Sequence, residues 1–226
     1  MSVVADEVRE ALRRFIGCDG HGHAAAGRCE LAIDGGAIFR HSSGMPIVLA
    51  SASPRRRELL ARAGVVFEVV HSPAEEIHDA EMDPGFLCEL NAGLKADAVA
   101  MMRPDATVIG ADTLVFIDGI PLGKPADLAE ARAMMRRLSG RSHQVCTGVC
   151  VIVPGGARHL FHDLTEVVFR ELGEGEIDAY FALVNPLDKA GAYGIQEHGE
   201  RIVSEIRGSF ENVMGLPVDK LIEALG

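Results

Sequence analysis

A chain of 226 residues with 48% hydrophobic and 24% charged residues is long enough for a sizeable core and has the balance of a soluble globular protein. Its net charge of −11 argues against a broad nucleic-acid-binding face, and no apolar run reaches the length of a membrane span. Five cysteines do not describe a disulfide framework, and the N-terminus lacks the basic and apolar blocks of a secretory signal, so a cytoplasmic protein is the expectation.

Residues 1–45 differ in character from the rest and read as a loosely ordered extension. Val8, Leu12 and Phe15 fall near helical spacing within residues 3–16, and the Gly- and Ala-rich stretch after them has no sustained period. Cys18, His21, His23 and Cys29 match no standard zinc spacing, and the glycines around them would not hold a site rigid.

Met45 and Pro46 make a fresh start before the first convincing strand, residues 47–50. A helix over 54–63 follows, with Ser53 as N-cap, Pro54 at the first helical position and Gly64 after its end. Arg55, Arg56 and Arg57 crowd its first turn, where cations oppose the helix dipole and a capping box would place Glu or Gln at 56. That misfit suits an anion docking at the helix start; the competing reading is a solvated basic patch.

Residues 65–70 read as a second strand, followed by a polar loop over 71–84 that carries Glu75 and Glu76. A helix over 86–102 has Leu87, Leu90, Leu94 and Ala98 on one face and Lys95 off it. Strand pieces at 107–109 and 113–117 flank Gly110, Ala111 and Asp112, and Asp118 with Gly119 signals a tight turn. A helix over 128–138, strands over 143–153 and 159–169 joined at Gly155 and Gly156, a helix over 174–184, a strand near 201–206 and a helix over 218–225 complete the chain. The alternation of strands and helices, with hairpin signals among them, predicts an α/β fold with a mixed sheet.

Asp112 is a carboxylate among apolar strand residues, which fits a metal ligand or general base in a cleft as well as an ordinary turn aspartate. Lys124, in GIPLGKP, is not part of a nucleotide-binding P-loop: the glycine spacing is one residue short, and Pro125 stands where Ser or Thr must hold magnesium. It remains a candidate phosphate-binding charge. In NPLDKAGAYGIQ, small residues leave backbone groups open to a planar ligand, on which Tyr193 could stack and Gln196 could read a base edge.

Five strings in order, LASASPRRRELL, GADTLVFIDGIPLGKP, MMRRLSGRSHQVCTG, LDKAGAYGIQ and NVMGLP, resemble the Maf family of nucleoside triphosphate pyrophosphatases. The resemblance runs from about Pro46 to the C-terminus, which defines a catalytic domain over 46–226. It implies a mixed sheet wrapped by helices in two lobes around a cleft, similar to inosine triphosphate pyrophosphatase. The implied reaction converts a nucleoside triphosphate to its monophosphate and pyrophosphate with a divalent metal, Mg2+ or Mn2+. Carried over by position, Asp112 is the general base, and Glu76 joins Asp112 at the metal. Arg55, Arg56, Lys95 and Lys124 grip the triphosphate, and Arg55, Thr113 and Gln196 bear on base choice.

The intact DKAGAYGIQ loop resembles the branch acting on dTTP and UTP rather than the one acting on 7-methyl-GTP. Glu89 and Asn91 depart from the pattern, standing where many relatives carry a basic residue and an alanine. The resemblance is compatible with a homodimer, which no sequence feature requires. The competing function is a nucleotide-sensing regulator of septum formation with dispensable hydrolysis. A phosphatase releasing single phosphates is a further alternative.

Overall fold

The computed structural model describes residues 44–226; the helix expected over 3–16 and Cys18, His21, His23 and Cys29 lie outside the described residues. Strands β1 (Ile47–Leu49), β2 (Glu68–Val69), β3 (Thr107–Ile117), β4 (Ile120–Leu122), β5 (Ser142–Ile152), β6 (Arg158–Phe169) and β7 (Val203–Arg207) form one sheet. Its order is β2-β1-β3-β5-β6-β7, with β4 also paired to β3. β1 runs parallel to β2 and β3, and all other pairings are antiparallel. Helices α1 (Pro54–Arg62), α2 (Pro84–Ala100), α3 (Leu128–Leu138), α4 (Glu174–Phe181), α5 (Phe210–Met214) and α6 (Val218–Leu225) wrap it. This is the mixed, helix-wrapped sheet expected from the sequence.

The central strand is buried on both faces. Val108, Leu114 and Phe116 pack with residues of α2, including Leu87, Cys88, Ala92, Ala96 and Val99. Ile109, Ala111, Val115 and Ile117 face a larger core with Leu59 and Leu60 of α1, Met135 and Leu138 of α3, Ile177 of α4 and Leu221 of α6. The two sets alternate along β3, as the period of a strand requires. Each fully buried large side chain contributes about 1.5–3 kcal/mol relative to exposure.

The two strand pieces expected around Asp112 are one strand. β3 pairs with β5 without a break from Val108 to Phe116, passing through Gly110, Ala111 and Asp112. Gly110 is a notch rather than an interruption. A side chain at Gly110 would overlap the Ala92 carbonyl oxygen, and one at Gly148 on β5 would overlap the Cys88 carbonyl group. Both glycines exist to let the α2 backbone settle onto the sheet, directly beside Asp112, which is registered opposite Gly148.

Other boundaries shift for local reasons. Helix α2 starts at Pro84 because Asp83 Oδ1 caps the Phe86 N–H at 3.0 Å, and its buried face runs through Leu87, Leu90, Asn91, Ala92 and Ala96, with Leu94 and Ala98 half-buried. The strand expected over 65–70 shrinks to Glu68–Val69, since its partner β1 is itself only three residues long. Helix α4 stops at Phe181, after which the Leu183 and Val184 amides both turn back to the Tyr180 carbonyl, at 3.0 and 3.1 Å. Helix α5 was not foreseen: five residues are too few to show a period, and its marks are a Ser209 cap on the Asn212 N–H at 3.1 Å and Gly215 at φ 114°. Helices α3 and α6 have the expected bounds. Among the described residues, no helix is long and apolar enough to cross a membrane.

The core under β5 holds one titratable group with a pH consequence. His143 packs edge-on against Phe169 and Tyr193, with Nε2 2.7 Å from the Tyr193 hydroxyl and no partner for Nδ1 among the described residues. Burial pushes its pKa down from the usual 6.5 to about 4. Between those values the unfolded chain binds a proton that the folded chain does not, so this stability is complete above pH 6.5 and is lost as pH falls toward 4. The effect amounts to about 3 kcal/mol. Denaturant titrations at stepped pH should resolve that slope in the parent protein and show it reduced by that amount in His143→Gln.

Candidate active site

The open edge of β3 creates the site. β1 pairs with β3 only as far as Ile109, and β4 takes up the same edge from Val115 onward. Residues 110–114 lie between these partners, and Asp112 and Thr113 fall in the gap. Their side chains follow strand alternation. Asp112 turns to the α2 face, and Thr113 turns to the face that α1 covers.

On the α2 face, Asp112 is 3% exposed, a burial that penalises its charge unless donors compensate. Two do. Lys95 Nζ donates to Asp112 Oδ1 at 2.7 Å, and Asn91 Nδ2 donates to Oδ2 at 3.1 Å. The same ammonium donates to Glu76 Oε1 at 2.7 Å, so one cation bridges two carboxylates from different segments. Lys95 is therefore not a solvated surface lysine, and Glu76 is drawn from its polar loop to the strand. Glu75 and Glu76 are both exposed, and of the two it is Glu76 that meets Lys95.

On the other face, Arg56 turns inward from the first turn of α1. It is 8% exposed and its guanidinium donates to the Gly215 carbonyl at 2.7 Å, Thr113 Oγ1 at 2.9 Å and Ser51 Oγ at 3.1 Å. Burial lowers its pKa below the usual value, and the nearby Asp112 and Glu76 charges oppose that shift. Thr113 Oγ1 also meets Thr147 Oγ1 at 2.9 Å, and Thr147 donates to the Asn212 carbonyl at 3.0 Å. These bonds tie α1, β3, β5 and the α5 turn into one rigid unit.

Arg55 is half-buried and lies 3.9 Å from Glu197, while Arg57 is exposed. Gln196, next to Glu197, is exposed. Lys124 is exposed just past β4; the Val115–Leu122 register leads the chain on toward the Thr113 stretch of β3. Tyr193 corrects the sequence reading. It is 5% exposed, its hydroxyl is bound to His143, and its ring lies edge-on to Phe169, so it belongs to the core and offers no stacking face to a ligand.

Three participants escaped sequence reasoning. Asn91 sits in an otherwise apolar helix face, and its departure from the family pattern was the one available signal. Lys189 is buried with its ammonium on the Asn185 carbonyl at 2.9 Å, Asp188 at 2.7 Å and Glu197 at 3.1 Å, locking the loop that presents Gln196. Glu197 also reaches Arg55, a contact that no local pattern announces.

The arrangement joins carboxylates, an ammonium and a buried guanidinium around an open strand edge, a set suited to a polyanion. By contrast, a cavity of about 670 Å3 lined by Ser139, Gly140, Glu171, Leu172, Gly173 and Glu176 carries two acids and no cationic side chain. Among the described residues, no three His, Cys, Asp or Glu side chains gather as a metal cluster. Glu76 and Asp112 are of the ligand type that Mg2+ and Mn2+ take, one or two carboxylates with water and phosphate oxygens completing the shell, and here the Lys95 ammonium bridges the two.

The chain is similar to known proteins. A dTTP/UTP pyrophosphatase of Akkermansia muciniphila is 54% identical over 180 residues, covering 80% of this chain and 95% of that one. A dTTP/UTP pyrophosphatase of Bacillus cereus is 48% identical over 179 residues, covering 79% and 93%. A solved nucleoside-triphosphatase and dITP/XTP pyrophosphatase of Mycobacterium abscessus aligns with a TM-score of 0.42 at 17% identity, over 80% of this chain and 93% of that one. Residues 46–226 match the family model described as Maf-like protein, and with relatives this similar along nearly their whole length the chain belongs to the Maf family.

Proposed function

We infer that this chain hydrolyses nucleoside triphosphates, dTTP and UTP foremost, to the monophosphate and pyrophosphate. The observation that carries the reading is the buried Asp112, held by Lys95 together with Glu76, in the gap of β3 beside the buried Arg56. The relatives at 54% and 48% identity, both dTTP/UTP pyrophosphatases, support the substrate class.

In this reading Asp112 takes a proton from a water molecule whose oxygen attacks the α-phosphorus. The bond from that phosphorus to the α–β bridging oxygen breaks, and pyrophosphate leaves. Arg55, Arg56, Lys95 and Lys124 neutralise the phosphates, which is the main requirement of phosphoryl chemistry. Arg55, Thr113 and Gln196 bear on the base, with Thr113 held in place by Arg56 and Thr147. Glu76 and Asp112 would hold a divalent cation, which when bound supplies charge neutralisation at the phosphate oxygens.

A hydrolysis screen over dTTP, UTP, CTP, GTP and 7-methyl-GTP, scoring pyrophosphate and orthophosphate separately, tests this. Pyrophosphate from dTTP and UTP is expected, abolished by EDTA and restored by Mg2+ or Mn2+. Orthophosphate as the sole product would overturn the reaction, and preference for 7-methyl-GTP would overturn the substrate class.

A further inference from the structure

We propose that Asn91 is the positioning residue of Asp112: its carboxamide, held in one orientation by the backbone of Ile77, grips Oδ2 and so fixes the carboxylate with Oδ1 turned toward Lys95. The proposal rests on the reading of Asp112 as general base.

Asn91 is 1% exposed, on the face of α2 that the Gly110 and Gly148 notches bring against the sheet. Its Oδ1 accepts from the Ile77 N–H at 2.8 Å, and its Nδ2 donates to the Ile77 carbonyl at 3.0 Å. This two-point pairing admits a single orientation. Exchanging the amide oxygen and nitrogen would set carbonyl against carbonyl and N–H against N–H. The second hydrogen on Nδ2 is thereby committed to Asp112 Oδ2, 3.1 Å away. With Oδ2 held in this way, the carboxylate is fixed so that Oδ1 faces the Lys95 ammonium, which donates to it at 2.7 Å.

The same amide also places the second acid. Ile77 follows Glu76 directly, so anchoring the Ile77 backbone at both its polar groups sets where the Glu76 carboxylate meets Lys95. The charged groups around Asp112 are Lys95 from α2, Glu76 from the loop and Arg56 from α1. Asn91 is the neutral member of this set and adds direction without charge. An apolar residue at 91, which would continue the α2 core face, could do neither task.

The test is a double-mutant cycle on dTTP hydrolysis. Asn91→Leu should lower kcat by about 10- to 100-fold, the usual cost of removing an outer-shell partner, with KM within about threefold. The double variant Asn91→Leu/Asp112→Asn should lose far less relative to Asp112→Asn than Asn91→Leu loses relative to the parent, because the amide acts chiefly through that carboxylate. Equal losses in both backgrounds, or an unchanged kcat, would overturn the proposal. In case Asn91→Leu does not fold, the side-chain amide resonances of Asn91 in the otherwise unaltered protein should move on Asp112→Asn; unmoved resonances would also overturn it. A parent protein that releases no pyrophosphate would instead overturn the functional reading, and the proposal with it.

Discussion

Asp112→Asn is expected to reduce pyrophosphate release from dTTP by about 10²- to 10⁴-fold, the range that a positioned general base contributes. The substitution preserves shape and removes the proton acceptor. It also unbalances the contacts at that position. An asparagine there has one acceptor oxygen for two fixed donors, Lys95 Nζ and Asn91 Nδ2, so its own NH2 must face one of them. Leaving one contact mismatched costs about 1–3 kcal/mol, which a domain of this size tolerates. Circular dichroism and a thermal midpoint within about 10 °C of the parent would show that the loss is chemical. A protein with near-parental turnover would remove Asp112 from the reaction. If the cellular role were nucleotide sensing, the variant would keep that role while hydrolysis vanished.

Gly148→Ala should be the most damaging glycine-to-alanine change among the described residues, with Gly110→Ala close behind. The added carbon meets the backbone of α2, at the Cys88 carbonyl group or the Ala92 carbonyl oxygen, and backbone cannot rotate aside as a side chain can. Overpacking typically costs 1–3 kcal/mol, and a backbone clash falls at or above the top of that range. A fall in thermal midpoint of roughly 10 °C is the expected reading. Activity should fall as well, because α2 carries both Lys95 and Asn91, and lifting it from the sheet withdraws both donors from Asp112. Gly175→Ala is the control: nothing lies within 4 Å of the added carbon, and neither stability nor turnover should drop. A Gly148→Ala protein as stable and active as that control would refute the close-packing account.

Much of this was legible in one dimension. The α1 start follows from Ser53 and Pro54, whose capping chemistry acts within a few residues, and the Ser53 hydroxyl does accept the Arg56 N–H. The bounds of α3 and α6 follow from periodicity and end signals in the same way. The misplaced arginines of α1 and the carboxylate inside an apolar strand marked the site, because each violates a local rule that only a partner elsewhere can excuse.

Identifying those partners was beyond local reasoning. Arg56 finds the Gly215 carbonyl 159 positions away, and Lys95 finds Glu76 and Asp112 at separations of 19 and 17. Tyr193 looked like a stacking residue because its neighbours are small, yet the fold spends it on His143 and Phe169. Asn91 broke the apolar face of its helix, with nothing nearby to say why. Capping, turns and hydrophobic period are properties of a segment and are written into it. The cost of burying a charge or an amide is set by the group it meets there, and only the packing of α2 onto β3 supplies that group.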